Sequence, residues 1–234
     1  MKNYRSPVLF IPLIATLFLT HQIKSNNIGD ITKFVKGFVK NPFKVGSILP
    51  CSSYVGEEII KYYKKQIMSH HEQPIHILEV GAGTGSLTEV IVKYLRHSDH
   101  LDIIEISPDF CTILQEKFGN YQNVSIHCNS ITEWQPSYQY DFIICTLPFV
   151  SFEKSFMNKV IDHLLNIIKS GGIFSYVSFA GIANLKKPFL KKQAQNDHKE
   201  KMSRLKKLRE LYQIDSKTIL QNCPPIRVYH LLIN

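Results

Sequence analysis

The segment Ile75–Gly85 constrains the fold more than any other part of this chain. It opens with a short apolar run, which is typical of a strand buried inside a parallel sheet. Gly81, Gly83 and Gly85 then follow at alternate positions, and residues 86–95 have helical spacing. Glycine allows a tight turn and lets a ligand approach backbone N–H groups that a Cβ would shield. The segment therefore predicts a strand, a glycine turn and a helix.

A second apolar run, Leu101–Ile106, follows this helix and ends on an acid. Glu105 lies 20 residues after Gly85, which predicts a carboxylate at the tip of the neighbouring strand, within reach of ribose hydroxyls. Dinucleotide-binding turns have the pattern G-x-G-x-x-G, whereas this turn reads E-V-G-A-G-T-G and begins with Glu79. It resembles the first motif of class I methyltransferases, which use S-adenosylmethionine (SAM).

The rest of the chain continues the alternation of strands and helices. Further strands are predicted at 124–128, 141–146 and 173–179, helices at 107–118 and 152–169, and a terminal hairpin at 217–220 and 228–233. We therefore predict an α/β, doubly wound, mostly parallel seven-stranded Rossmann-like sheet.

The N-terminal part is predicted to lie outside this sheet. Residues 1–25 carry a short apolar core interrupted by Pro12, and we interpret them as a membrane-anchoring or interfacial extension. An uncleaved signal-like sequence and an overextended start are the alternatives. We assign 26–234 to one SAM-dependent methyltransferase domain, in which 26–70 hold amphipathic helices and a proline-containing loop, 75–180 the SAM-binding core, and 181–234 a basic helix and the terminal hairpin.

Two basic segments indicate an anionic partner. The net charge is +9, and residues 186–210 hold ten Lys and Arg against three acids. Residues 28–40 have apolar side chains on one helical face and lysines mostly on the other, which suits a membrane surface or packing on the chain's own domain. The five cysteines are scattered without C-x-x-C spacing, so we predict neither a metal site nor a disulfide framework.

Several segments together resemble the bacterial phospholipid N-methyltransferases. Phe38–Ser52 is similar to that family's "NP-x-x-VGA-x-x-PSS" block, and Asn222–Tyr229 to its closing "NLPPA-x-V-x". The segments Glu79–Gly85, Glu105–Phe110 and Leu147–Phe149 match the blocks between them. The resemblance implies SAM-dependent methylation of phosphatidylethanolamine toward phosphatidylcholine, by an enzyme attached to the cytoplasmic face of the inner membrane.

The resemblance also implies roles for individual residues. The glycines would hold the methionine end of SAM, Glu105 the ribose, and Ile106 the adenine. Asn129 stands where the family usually has Asp, and Cys51 replaces the first serine of "PSS". The candidate cofactor-binding residues are Glu79, Gly81, Gly83, Thr84, Gly85, Glu105, Ile106, Asn129 and Ser130.

No residue identifies itself as the base that takes a proton from the substrate amine. Tyr54 is a candidate because it follows the proline-containing loop, and packing is the alternative for it. Thr146, Leu147 and Pro148 follow the fourth strand, beside the expected methyl position. A ribosomal RNA adenine N6-methyltransferase would also fit the basic charge, but its loop normally begins with Asn or Asp where this chain has Thr146. A SAM-binding membrane-surface protein without transfer activity is the third alternative.

Overall fold

A computed structural model describes residues 51–69, 72–179, 192–222 and 225–234. Seven strands form one sheet in the order β3-β2-β1-β4-β5-β7-β6. The strands are β1 His76–Val80, β2 His100–Glu105, β3 Val124–Cys128, β4 Tyr140–Cys145, β5 Ile168–Phe179, β6 Gln213–Ile219 and β7 Ile226–Ile233. Strands β1 to β5 pair in parallel, and β7 pairs antiparallel with both β5 and β6. The predicted mostly parallel seven-stranded sheet is confirmed.

Helices cover both faces of this sheet. They are α1 Ser53–Ile59, α2 Lys61–Met68, α3 Thr88–Val92, α4 Pro108–Phe118, α5 Lys154–Ile167 and α6 Lys192–Tyr212. Two apolar clusters fill the two sides of the sheet, and the strands supply both because parallel strands are buried on both faces. Ile77 and Leu78, neighbours in β1, point into different clusters and are both fully buried.

The structure differs from the sequence prediction at several element boundaries. Helices α1 and α2 are separate, because the backbone at Ile60 leaves helical geometry with φ −91° and ψ 6°. Helix α3 is shorter than predicted, and strand β6 begins at Gln213 rather than at Lys217. The predicted amphipathic helix at 28–40 and the extension at 1–25 lie outside the described residues.

The parallel arrangement places the candidate site. Strands β1, β2, β3 and β4 are neighbours with matching direction, so their carboxyl ends lie along one edge of the sheet. Gly81, Ile106, Asn129 and Thr146 are the residues that directly follow these four strands. The topology therefore collects residues from four chain segments at one edge. Within the described ranges, no helix is long and apolar enough to cross a bilayer.

Candidate cofactor and substrate site

The glycine turn after β1 is a backbone cradle. Gly81, Gly83 and Gly85 all have positive φ, at 79°, 59° and 85°, which disfavours any residue with a Cβ. A Cβ on Gly81 would lie 2.8 Å from Leu147, and one on Gly85 would lie 2.5 Å from Phe118. A Cβ on Gly83 would meet no heavy atom within 4 Å. Two of the glycines are therefore required by packing, while Gly83 opens onto free space that a ligand can fill.

Glu105 connects this turn to the next strand. One carboxylate oxygen accepts a hydrogen bond from the Gly83 N–H at 2.8 Å, and the other accepts from the N–H groups of Ile106 and Ser107, each at 2.9 Å. A carboxylate has about four acceptor positions, so these three bonds leave capacity for a hydroxyl group. Glu105 fixes the turn's geometry itself, a role that the sequence alone did not reveal.

Glu79 is the second acidic group, and it is fully buried beneath the turn. The Thr88 hydroxyl donates to one of its oxygens at 2.7 Å, while Oε1 has no hydrogen-bond partner within the described residues. Burial, with a smaller contribution from the charge of Glu105, raises the pKa of Glu79 to about 8. An unpartnered, buried carboxyl oxygen only a few residues before the open glycine is the arrangement expected where a polar group of a ligand binds.

A disulfide closes the side of the site next to Glu105. Cys111 on α4 is bonded to Cys128, the last residue of β3, with their Cα atoms 5.8 Å apart. The prediction that the chain has no disulfide is wrong, because spacing along the chain does not report that α4 returns beside the end of β3. Cys145 is a free, buried cysteine, and burial raises the pKa of its thiol to about 12.

Ile106 and Asn129 directly follow Glu105 and Cys128, which are paired residues at the ends of β2 and β3. The Ile106 side chain is 63% exposed at the sheet edge, although it is large and apolar. Asn129 is also exposed, and its side-chain oxygen accepts a hydrogen bond from the Ser130 N–H at 2.7 Å. An exposed apolar side chain beside an exposed amide is suited to contact a flat heterocyclic base and its amino group.

The loop after β4 packs directly on the glycine turn. The Thr146 hydroxyl donates to the Gly81 carbonyl at 2.7 Å, and the Leu147 side chain fills the space beside Gly81. Pro148 then precedes a short 3-10 turn, Phe149–Ser151. These predicted substrate-side residues therefore lie in contact with the predicted cofactor residues.

The segment before α1 contacts the C-terminal part of the chain. Burial, with a smaller contribution from the charge of Glu79, raises the pKa of the Cys51 thiol to about 12. The next residue, Ser52, donates its backbone N–H to the side-chain oxygen of Asn222 at 2.9 Å. Tyr54, on α1, is 60% exposed and lines a groove of about 510 Å³ between the two N-terminal helices and the end of β6. That groove contains no residue of the glycine turn, so Tyr54 is not brought against the other candidates.

These features fit a nucleoside cofactor that carries an amino-acid group. The open glycine and the unpartnered Glu79 oxygen would receive the amino-acid end, Glu105 the ribose, and Ile106 with Asn129 the base. No cluster of three or more metal-ligating side chains occurs in the described parts of the chain. The sequence does not identify Asn222 or the disulfide as features of the site. The only indication for Asn222 is its place in the family's closing block.

Comparison with known proteins supports this interpretation. Residues 77–172 match the family described as "Methyltransferase domain". Malonyl-[acyl-carrier protein] O-methyltransferase 2 of Ilyobacter polytropus is 30% identical over 46% of this chain and 40% of its own length. The ornithine lipid N-methyltransferase of Singulisphaera acidiphila is 24% identical over 64% of this chain and 78% of its own length. Ribosomal RNA small subunit methyltransferase A of Pseudomonas putida is 32% identical over 46% of this chain and 34% of its own length.

Solved structures share the fold at low identity. The N-methyltransferase NodS from Bradyrhizobium japonicum WM9 matches with a TM-score of 0.57 and 13% identity over 79% of this chain and 99% of NodS. A second NodS structure, in complex with S-adenosyl-L-homocysteine, matches with a TM-score of 0.52 and 13% identity over 76% of this chain and 86% of that one. The chain spans less than half of the malonyl-[acyl-carrier protein] relatives' length, so those matches describe the shared core only. The chain therefore shares the fold of these methyltransferase structures, and residues 77–172 resemble a methyltransferase domain in sequence.

Proposed function

We propose that this domain transfers methyl groups from SAM to the amine of a phospholipid headgroup, with phosphatidylethanolamine as the substrate. The observation that carries the proposal is the ornithine lipid relative, whose match covers most of that protein and extends beyond the common core. It is a lipid-modifying N-methyltransferase by name. The resemblance of residues 38–52 and 222–229 to phospholipid N-methyltransferase blocks supports the same substrate class. Ser52, the last residue of the first block, donates its backbone N–H to the side chain of Asn222, the first residue of the second.

The proposed reaction needs alignment and a deprotonated amine. SAM supplies a methyl group on a sulfonium, which an amine attacks in line with the departing sulfur. The chain must hold the amine at that angle and exclude water. The ammonium form of ethanolamine must first lose a proton, and Tyr54 is not placed to accept it, because it lines a groove that holds no residue of the glycine turn. Thr146 already donates its hydroxyl proton to Gly81, so we assign Thr146, Leu147 and Pro148 to shaping the methyl position.

We further propose that the enzyme works at a membrane surface. Lysines at 33, 36 and 40 would contact anionic lipid, each contributing about 1 kcal/mol. The headgroup would then reach SAM without leaving the bilayer, and the enzyme would be attached to the cytoplasmic face of the inner membrane. Changing Lys33, Lys36 and Lys40 to Glu is expected to reduce methylation on anionic vesicles and leave SAM affinity unchanged, because the electrostatic attraction is lost. If this variant is as active as wild type on anionic vesicles, the lysines do not attract the enzyme to the membrane and this part of the proposal is wrong.

A ribosomal RNA adenine N6-methyltransferase is the second candidate. The net charge of +9 and the ribosomal RNA methyltransferase relative favour it. Thr146 and Leu147 count against it, because the loop of those enzymes normally begins with a residue whose side-chain carbonyl can accept a hydrogen bond from the target amine.

Transfer of tritiated methyl distinguishes these functions. The purified full chain is incubated with labelled SAM and, separately, with phosphatidylethanolamine vesicles, ornithine lipid vesicles or ribosomal RNA. We expect label in the chloroform phase with phosphatidylethanolamine and none in RNA. Label in ornithine lipid alone would support a lipid acceptor but show that the acceptor is not phosphatidylethanolamine. Label in RNA alone would overturn the proposal. SAM binding without transfer to any acceptor would favour a binding protein.

A further inference from the structure

The basic helix α6 carries a lysine that points into the protein. The Lys201 side chain is only 8% exposed, although the segment around it has the composition of a solvated basic surface. Leu205 and Leu208, on the same helix, are buried in the apolar cluster that also contains Phe149. The helix therefore packs against the back of the loop that follows β4, and Lys201 is not available to an anionic partner.

All three donor positions of Lys201 are used. Its Nζ atom donates to the carbonyl of Val150 at 3.0 Å, to the carbonyl of Phe152 at 2.8 Å, and lies 2.9 Å from the Asp197 carboxylate one turn earlier on α6. An ammonium has three N–H donors, so it is fully satisfied in this position. The two carbonyls belong to the 3-10 turn and its end, where backbone acceptors have no helical partners.

The same loop is fixed at its other end by the cofactor turn. Thr146 donates to the Gly81 carbonyl, and Leu147 packs against Gly81. Between these attachments and those of Lys201 lie Pro148 and Phe149. The loop is thus anchored to the glycine turn at its start and to α6 at its end.

We propose that Lys201 is a positioning residue that holds the loop after β4 in the geometry needed for methyl transfer. The proposal rests on the proposed function, since it takes this loop as the wall of the methyl position. Lys201 acts through the Val150 and Phe152 carbonyls and does not touch the reacting atoms. A displacement of about 1 Å at a reacting centre can reduce a rate by roughly 10²-fold, so loss of the anchor should reduce turnover more than binding.

The test compares three variants of the full chain. Lys201→Met keeps the length of the side chain and removes its donors, and Lys201→Arg keeps a charged donor. Lys206→Met is the matched control, because Lys206 lies on the same helix, is 71% exposed and pairs only with Glu210 among the contacts of the described residues. Phosphatidylethanolamine in mixed micelles of uncharged detergent is the acceptor, so that surface charge does not affect substrate delivery.

We expect Lys201→Met to lower kcat at least tenfold, with the Kd for SAM within twofold of wild type. Amide hydrogen exchange should become faster in residues 146–152 and stay unchanged in β1 and β2. Lys201→Arg should recover most of the rate, and Lys206→Met should behave as wild type. A Lys201→Met protein with wild-type kcat would overturn the proposal. An equal loss of rate in Lys201→Arg, with faster exchange throughout the domain, would also overturn it, since that pattern reports general destabilisation.

The exchange measurement keeps the two proposals separate. If the wild-type protein methylates no lipid, the proposed function fails, but the loop can still be observed. Faster exchange confined to residues 146–152 in Lys201→Met would then support the anchoring role. Unchanged exchange in that loop would exclude it.

Discussion

The two halves of the site are built in different ways. On the cofactor side, the contacts join residues close in the chain, since Thr88 and Glu79 are 9 positions apart, and Gly83 and Glu105 are 22 apart. On the substrate side, Lys201 and Phe152 are 49 positions apart, and Ser52 and Asn222 are 170 apart. The cofactor half is therefore a local unit of two strands and their turns, whereas the substrate half exists only after distant segments have packed. Changes on the first side should affect SAM binding, and changes on the second should affect transfer.

The largest effect is expected at the open glycine. Gly83→Val places a branched side chain in the space assigned to SAM and should abolish SAM binding in isothermal titration. Gly171→Val is the matched control. Gly171 also has a positive φ, at 80°, and open space around its Cβ position, but it lies near the start of β5. Both variants should lose similar stability, since a left-handed backbone costs a non-glycine residue about 1–2 kcal/mol. Near-wild-type SAM affinity in Gly83→Val would show that the cofactor does not occupy this space.

The buried Glu79 should make the SAM-free protein less stable as the pH rises. In the folded protein its pKa is raised from 4.5 to about 8, so between these values the folded state keeps a proton that the unfolded state has released. Stability should therefore fall from about pH 5 to pH 8, by at most about 1.4 kcal/mol per pH unit, and level off above that range. Urea unfolding of wild type and Glu79→Gln measures this difference. If the free energy of unfolding depends on pH in the same way in both proteins, the raised pKa does not belong to Glu79.

The disulfide should stabilise the cofactor half. A crosslink across a separation of 17 residues is expected to contribute about 3 kcal/mol. Dithiothreitol should therefore lower the Tm of wild type and leave a Cys111→Ser, Cys128→Ser double variant unchanged. Cys51→Ser, which removes a free thiol, should stay sensitive to the reductant. The bond does not form if dithiothreitol leaves the wild-type Tm unchanged and if Cys111 and Cys128 can both be alkylated before the reductant is added.

The smallest effect is expected at the contact between the two distant blocks. Asn222→Ala removes the acceptor for the Ser52 N–H and should cost about 1 kcal/mol. Transfer should slow while SAM affinity stays within about twofold. Asn222→Asp keeps an acceptor oxygen and serves as the control. A loss of SAM affinity as large as that of Gly83→Val would erase the distinction between the two halves.

The same contrast explains what could be predicted from the sequence. Glu79, the three glycines and Glu105 lie in one continuous strand–turn–helix–strand pattern. The sequence alone therefore predicts that they lie close together in the fold. Composition assigns Lys201 to a basic surface, because it does not report which face of a helix is buried. Predicting the pairing of Cys111 with Cys128 requires knowing that α4 returns beside the end of β3, and the spacing of cysteines along the chain does not report this.

The position of β7 has a consequence for synthesis of the chain. This strand is made after all the others, yet it is inserted between β5 and β6. Until residues 226–233 have left the ribosome, β5 presents an unpaired edge over the eight residues Gly172–Phe179, which include Phe174 and Tyr176. Nascent chains are made at about 5–20 residues per second, so this edge is exposed for a period set by translation. A chain stopped before β7 should therefore be prone to edge-to-edge aggregation, even though its SAM-binding pattern is complete.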